Sequence, residues 1–243
     1  MGHFNRFIIT GIAFLTLTAF GWADRMDSPI TTDVIKTQHF RKYVFSNSSS
    51  VPVTVKVKVT GDNLKINKRM PHSFVVPGRS KREAFQTSAK DPRTYYGDPT
   101  LDQEYAVGDY RISRSNLPLV APCTRGKSLK VKDVSKAGTV TFEADKGSQV
   151  TCARQGLVVR VEDGAVWVGH NDGSVSRYRG LDSISATLNK ELGAGQPVGT
   201  VAEEEFEFEL AVPTQSLDYR AIPSHFRVNG AKAAPQAGGA LSR

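Results

Sequence analysis

Three glutamates alternate along one short run, Glu205-Phe206-Glu207-Phe208-Glu209-Leu210. Strand side chains point alternately to two faces, so the run predicts a strand with Glu205, Glu207 and Glu209 on one face and Phe206, Phe208 and Leu210 on the core side. Carboxylates at i and i+2 stand roughly 6.5–7 Å apart. That spacing admits three chemistries. Two carboxyls could cleave a glycosidic bond as acid and base. They could hold a hard cation such as calcium. They could also form an acidic floor that pairs with basic side chains of a partner or of the chain itself, Lys132 among them, and this is the favoured reading. Zinc chemistry has little to work with. The histidines after the amino-terminal segment are His39, His72, His170 and His225, isolated from one another, with no H-x-H or H-E-x-x-H. His170 could serve as a stray ligand, but it reads more simply as a polar residue before a hairpin turn. Neither Cys123 nor Cys152 has a histidine nearby in sequence, which argues against a thiol nucleophile. No G-x-x-x-x-G-K-[ST], G-x-G-x-x-G or G-x-S-x-G occurs.

The elements that must position these residues read almost entirely as strands. Val51-Pro52-Val53-Thr54-Val55-Lys56-Val57-Lys58-Val59 alternates valine with polar residues, the pattern of a half-buried strand. Together with runs at His39–Asn47, Ser73–Val76, Arg82–Thr87 and Glu104–Ile112, it predicts a β-sandwich over residues 36–115. Residues 90–101 read as a polar loop. Residues 116–122 read as a linker or the first strand of the next unit. From Leu129 the strand pattern resumes, with hairpin turns at Asp163-Gly164 and Asn171-Asp172-Gly173. Leu181–Leu192 is the one short stretch expected to be helical. Residues 229–243, rich in Gly, Ala and Pro, are expected to be a disordered tail. The fold class predicted is all-β.

Residues 1–23 look like a secretory signal, with Arg6 ahead of an apolar run and Gly21-Trp22-Ala23 at a cleavage site. No later segment is apolar enough to span a bilayer. The chain is therefore expected in the periplasm or outside the cell. Its 243 residues carry a net charge of +8, which favours anionic partners. Nucleic acid is not expected, because the basic residues are scattered without interleaved aromatics. An oxidising compartment allows a Cys123–Cys152 disulfide, worth about 3–4 kcal/mol by chain entropy.

Four pieces in order carry a resemblance. They are Gly156-Leu157-Val158-Val159-Arg160-Val161-Glu162-Asp163-Gly164, His170-Asn171-Asp172-Gly173-Ser174-Val175-Ser176-Arg177-Tyr178-Arg179-Gly180-Leu181, Gly195-Gln196-Pro197-Val198-Gly199, and Glu205-Phe206-Glu207-Phe208-Glu209. Over residues 117–212 the chain resembles the M23 (LytM-type) peptidoglycan endopeptidases, and Tyr43–Val55 is similar to the amino-terminal β-domain of some of them. The resemblance implies a LytM-like β-fold with an open groove. It also implies that the zinc and catalytic positions of the family are lost. They fall here on Lys132, Thr141, Gly180, Glu205 and Glu207. The expectation is a degenerate member without zinc, leaning away from catalysis, with Trp167, Tyr178, Glu205 and Glu207 as groove candidates. Degenerate members of this kind activate wall amidases, so the implied role is regulation or scaffolding of peptidoglycan remodelling, with peptidoglycan or a wall hydrolase as partner. The rivals are an active metalloendopeptidase with unrecognised ligands and a structural wall-binding protein.

Overall fold

Alternation from Val53 to Val59 sets the first layer. In the strand Val53–Thr60 the four odd-numbered valines are buried, while Lys56 and Lys58 lie on the other face. This strand is the centre of a three-stranded antiparallel sheet, between His72–Val76 and Thr100–Val107. A four-stranded sheet lies against it, in the order Ile30–Lys36, Phe40–Asn47, Lys81–Ala89, Leu64–Ile66. Phe45, Phe74 and Phe85 fill the space between the two sheets. The structure, a computed structural model, describes residues 24–228 and 230–243. The expected signal segment, 1–23, lies outside the described residues. Among the described residues there is no helix, and so none long and apolar enough to cross a membrane. The all-β expectation holds.

The second unit is a ten-stranded sheet. Its path runs Asp24–Arg25, Gly156–Glu162, Ala165–Gly169, Val175–Arg179, Glu205–Pro213, Val140–Glu143, Ser128–Val134, Ala240–Ser242. Glu191–Leu192 and Tyr219–Ala221 attach at the sides. A small sheet of Gln149–Thr151, Pro197–Val201 and Leu181–Asp182 covers its core face. Tyr178, Phe142, Phe206 and Phe208 are buried in that core. Gly164 and Gly173 take φ of 70° and 86°, the left-handed conformation that the two predicted hairpin turns require.

A third apolar cluster joins the units. Met26, Val51 and Val107 meet Leu157, Val159, Trp167 and Val175. Gly108 lies at this seam with φ 115°, and a Cβ there would come within 2.7 Å of Gly173 O, so only glycine fits.

Three expectations are corrected, and a fourth is resolved. Leu181–Leu192 is not helical: Ser183 and Asn189 have φ of 43° and 63°, and the N–H groups of Ala186 and Asn189 donate to Val198 O and Val158 O on neighbouring strands. The tail beyond residue 229 is ordered, because the edge of Ser128–Val134 supplies a partner for Ala240–Ser242. Leu241 is buried, and the Arg243 guanidinium donates to the carbonyls of Cys123, Ala194 and Gly195 at 3.3, 3.4 and 3.4 Å. Residues 116–122, expected as a linker or the first strand of the next unit, begin exposed at Leu117 and then pass into the second core, where Leu119 and Ala121 are fully buried and Leu119 bridges to Phe226. The Cys123–Cys152 bridge is not formed. Each thiol is free and donates to a nearby carbonyl, Cys123 to Lys127 O and Cys152 to Arg154 O. Burial pushes both thiols above their ordinary pKa, which disfavours the reactive thiolate.

Candidate functional site

The ladder register decides what the acidic face meets. Glu205, Glu207 and Glu209 leave Glu205–Pro213 on the side away from the core. On one flank Glu207 lies opposite Arg179 and Glu209 opposite Arg177. On the other flank Glu205 lies opposite Glu143 and Glu207 opposite Thr141. One strand further out, Lys130 lies opposite Glu143.

Opposite charges at these positions close into pairs. Arg177 donates to Glu209 at 2.6 Å, and Arg179 forms an ion pair with Glu207 at 3.0 Å. Arg179 also lies 3.6 Å from Glu209, and Thr139 Oγ1 donates to Glu209 at 3.1 Å. Lys132 donates to Glu205, and Lys130 donates to Glu143 at 2.8 Å. The hydrogen bond to Glu205 raises the Lys132 pKa and keeps the ammonium charged. Trp167 stands at the inner end of the ladder. Its ring has the Arg177 and Arg160 guanidinium carbons 4.1 and 4.7 Å from its centroid, a cation–π arrangement, and Tyr219 meets it edge-on at 5.0 Å.

The sequence-predicted residues separate accordingly. Lys132 and Glu205 are brought together, and Glu207 and Thr141 are direct neighbours. Trp167 is only 7 % exposed and belongs to the seam between the units, so it is no open groove wall. Tyr178 is corrected outright. It points to the core, its ring packs edge-on against Phe208 at 5.3 Å, and its hydroxyl accepts the Ala153 N–H at 2.8 Å. Gly180 has φ 79°, with Glu205 O 3.2 Å from where a Cβ would be. Any side chain there, including the histidine the family pattern would place, is strained.

These residues do not fit zinc. A zinc centre needs three nitrogen, sulfur or carboxylate donors that converge. Lys132, Thr141, Gly180, Glu205 and Glu207 supply an ammonium, a hydroxyl, no side chain, and two carboxylates already engaged by Lys132 and Arg179. Among the described residues no three His, Cys, Asp or Glu side chains gather as metal ligands. A calcium-like site would need six or more oxygens, which this face does not converge.

Sequence reasoning missed Arg177 and Arg179, and it missed a polar network beneath the hairpin turn at residues 171–173. His170 is 1 % exposed, with Nδ1 2.9 Å from Gln155 O and Nε2 2.7 Å from Ser176 Oγ. Burial, then the nearby Arg154 charge, pushes its pKa down to about 3. Asp172 accepts from Arg154 at 3.1 Å and from Ser115 at 2.6 Å. Burial acts to raise the Asp172 carboxyl, but the Arg154 charge and the hydroxyls of Ser115 and Ser174 outweigh it and hold the group low. The His170–Ser176 pair has the residue types of a base and a nucleophile, but both are sealed from solvent, so no substrate reaches them.

No family model and no curated protein matches the chain. Solved structures do. The deep-sea M23 metalloprotease pseudoalterin matches 53 % of this chain and 100 % of its own, at 15 % identity and a TM-score of 0.39. Csd3 of Helicobacter pylori matches 84 % of this chain and 74 % of its own, at 12 % identity and a TM-score of 0.33. A zinc-containing peptidase of Vibrio cholerae matches 70 % of this chain and 52 % of its own, at 13 % identity and a TM-score of 0.30. Values this low carry no residue's role across.

Proposed function

We propose that the chain is a non-catalytic binding protein of the cell envelope. In this reading it acts in the periplasm or outside the cell and regulates or scaffolds peptidoglycan remodelling. Its partner is peptidoglycan or an envelope protein such as a wall hydrolase. The observation that supports this most is the charge ladder. The positions where the M23 resemblance puts metal and catalytic groups carry Lys132–Glu205 and Arg179–Glu207 pairs instead. Such a face lacks the open coordination position that metal-assisted hydrolysis uses. It offers alternating charge to a partner's surface, which gives specificity and on-rate.

The test uses the chain from Asp24 onward, purified and analysed for metal, then mixed with wall sacculi. Zinc well below one equivalent and no release of soluble fragments are expected, together with retention of a wall hydrolase on the immobilised chain. One bound zinc per chain and fragment release abolished by a chelator would establish the metallopeptidase rival. Retention by sacculi alone, with no hydrolase captured, would favour the structural wall-binding rival.

A further inference from the structure

Charge is unevenly divided between the two units. Residues 30–107 carry thirteen Lys and Arg against seven Asp and Glu, whereas residues 108–243 carry seventeen against fifteen. The excess belongs to the first unit. Part of it gathers where the chain crosses from one sheet to the other, Leu64-Lys65-Ile66-Asn67-Lys68-Arg69-Met70-Pro71-His72, which holds three cations and no acid.

A cleft of about 300 Å³ opens there, lined by Asn67, Lys68, His72, Arg82, Glu83 and Phe85 among others. Arg82, His72 and Asn67 are held in place. Arg82 Nη1 donates to Val75 O at 2.7 Å, and the guanidinium carbon lies 5.6 Å from the Phe74 ring centroid. The His72 imidazole stacks on the same ring at 5.5 Å. Asn67 is fixed to Gln86 through its backbone N–H and through its side-chain oxygen, which accepts at 2.8 Å. The one acid of the lining is already engaged: Glu83 accepts from Lys42 at 3.1 Å and from Gln86 at 2.6 Å. Lys68 and Arg82 have no ion-pair partner among the described residues.

We propose that this cleft is an anion site, in which Lys68, His72 and Arg82 take a compact oxyanion group, a phosphate or a carboxylate. Arg82 suits the role because its fork matches oxyanion geometry and is already oriented. Lys68 supplies a mobile point charge, and Asn67 a neutral rim. The field of the two cations is felt at His72, whose pKa is lowered first by burial and then by Lys68 and Arg82. A bound anion would offset that field. The site stands on the first unit alone and is independent of the charge ladder and of the role proposed for it.

The test titrates inorganic phosphate, and separately acetate, into the whole chain from Asp24 onward, followed by NMR. Saturable shifts at Asn67, Lys68, His72 and Arg82 are expected, together with a rise in the His72 pKa. Lys68→Gln and Arg82→Gln should each weaken binding about fivefold, and added salt should weaken it further. Lys58→Gln, which removes the same charge from the outward face of the strand beside His72–Val76, should leave affinity within about twofold. Saturation by phosphate alone would identify a phosphate site, and saturation by both a general oxyanion site. Unsaturable shifts, an unmoved His72 pKa, or a Lys58→Gln loss equal to that of Lys68→Gln would overturn the proposal.

Discussion

Glu209→Ala destabilises the fold by about 3 kcal/mol, while Glu207→Ala, two residues away on the same face, costs under about 1 kcal/mol. The difference follows from exposure. The Glu209 side chain is 10 % exposed and its partner Arg177 is 18 % exposed. Removing the carboxylate leaves a guanidinium that is largely withdrawn from water, facing Trp167 without its counter-charge. Glu207 is 46 % exposed and Arg179 39 % exposed. Water replaces a surface partner at little cost, and long side chains gain rotamer freedom when released. Urea unfolding of the two variants, monitored by Trp fluorescence and circular dichroism, makes the comparison. Equal losses at the two positions would mean that the ladder is a surface feature throughout.

Stability falls as the solution is acidified below pH 6.5. The ordinary imidazole pKa is near 6.5, and in the folded chain burial and then Arg154 bring that of His170 to about 3. Between those values the unfolded chain binds a proton that the folded chain refuses. Unfolding is therefore favoured as pH drops, with the slope approaching one proton per chain below about pH 6, on the order of 2 kcal/mol between pH 6.5 and pH 5. Asp172 and Asp109 carboxyls are held below their ordinary values. Their contribution is present at neutral pH and is lost only at still lower pH, so it does not confuse this window. His72 and His225 are lowered as well and act in the same sense. A His170→Asn variant isolates the buried ring. Urea midpoints at several pH values between 7 and 5 should decline steeply for the parent and more gently for the variant. Parallel curves would remove His170 as the cause.

Much of the architecture is legible in local pattern. Val53–Val59 and Glu205–Leu210 alternate with period two, and the structure buries the apolar member each time. Asp163-Gly164 specifies its hairpin through one residue's backbone freedom. What fails is whatever depends on partners distant in sequence. Leu181–Leu192 gives its backbone donors to other strands. Ala240–Ser242 becomes a strand only because an edge is waiting for it. Tyr178 reads as a groove residue in the sequence, and only its distant partners Phe208 and Ala153 place it in the core. The candidate site divides the same way. Glu205, Glu207 and Lys132 stand out as residue types, but their partners depend on register. Arg177-x-Arg179 and Glu207-x-Glu209 are matched doublets some thirty residues apart. That complementarity was the available signal, since opposite charges directly across a ladder attract.

The cluster of Met26, Val51, Val107, Leu157, Val159, Trp167 and Val175 has a practical bearing on any dissection of this molecule. A cut near residue 110 would leave each fragment with a greasy wound, and fragments of that kind clump. Kept whole, the polypeptide should melt in one step, because loosening either half uncovers the other.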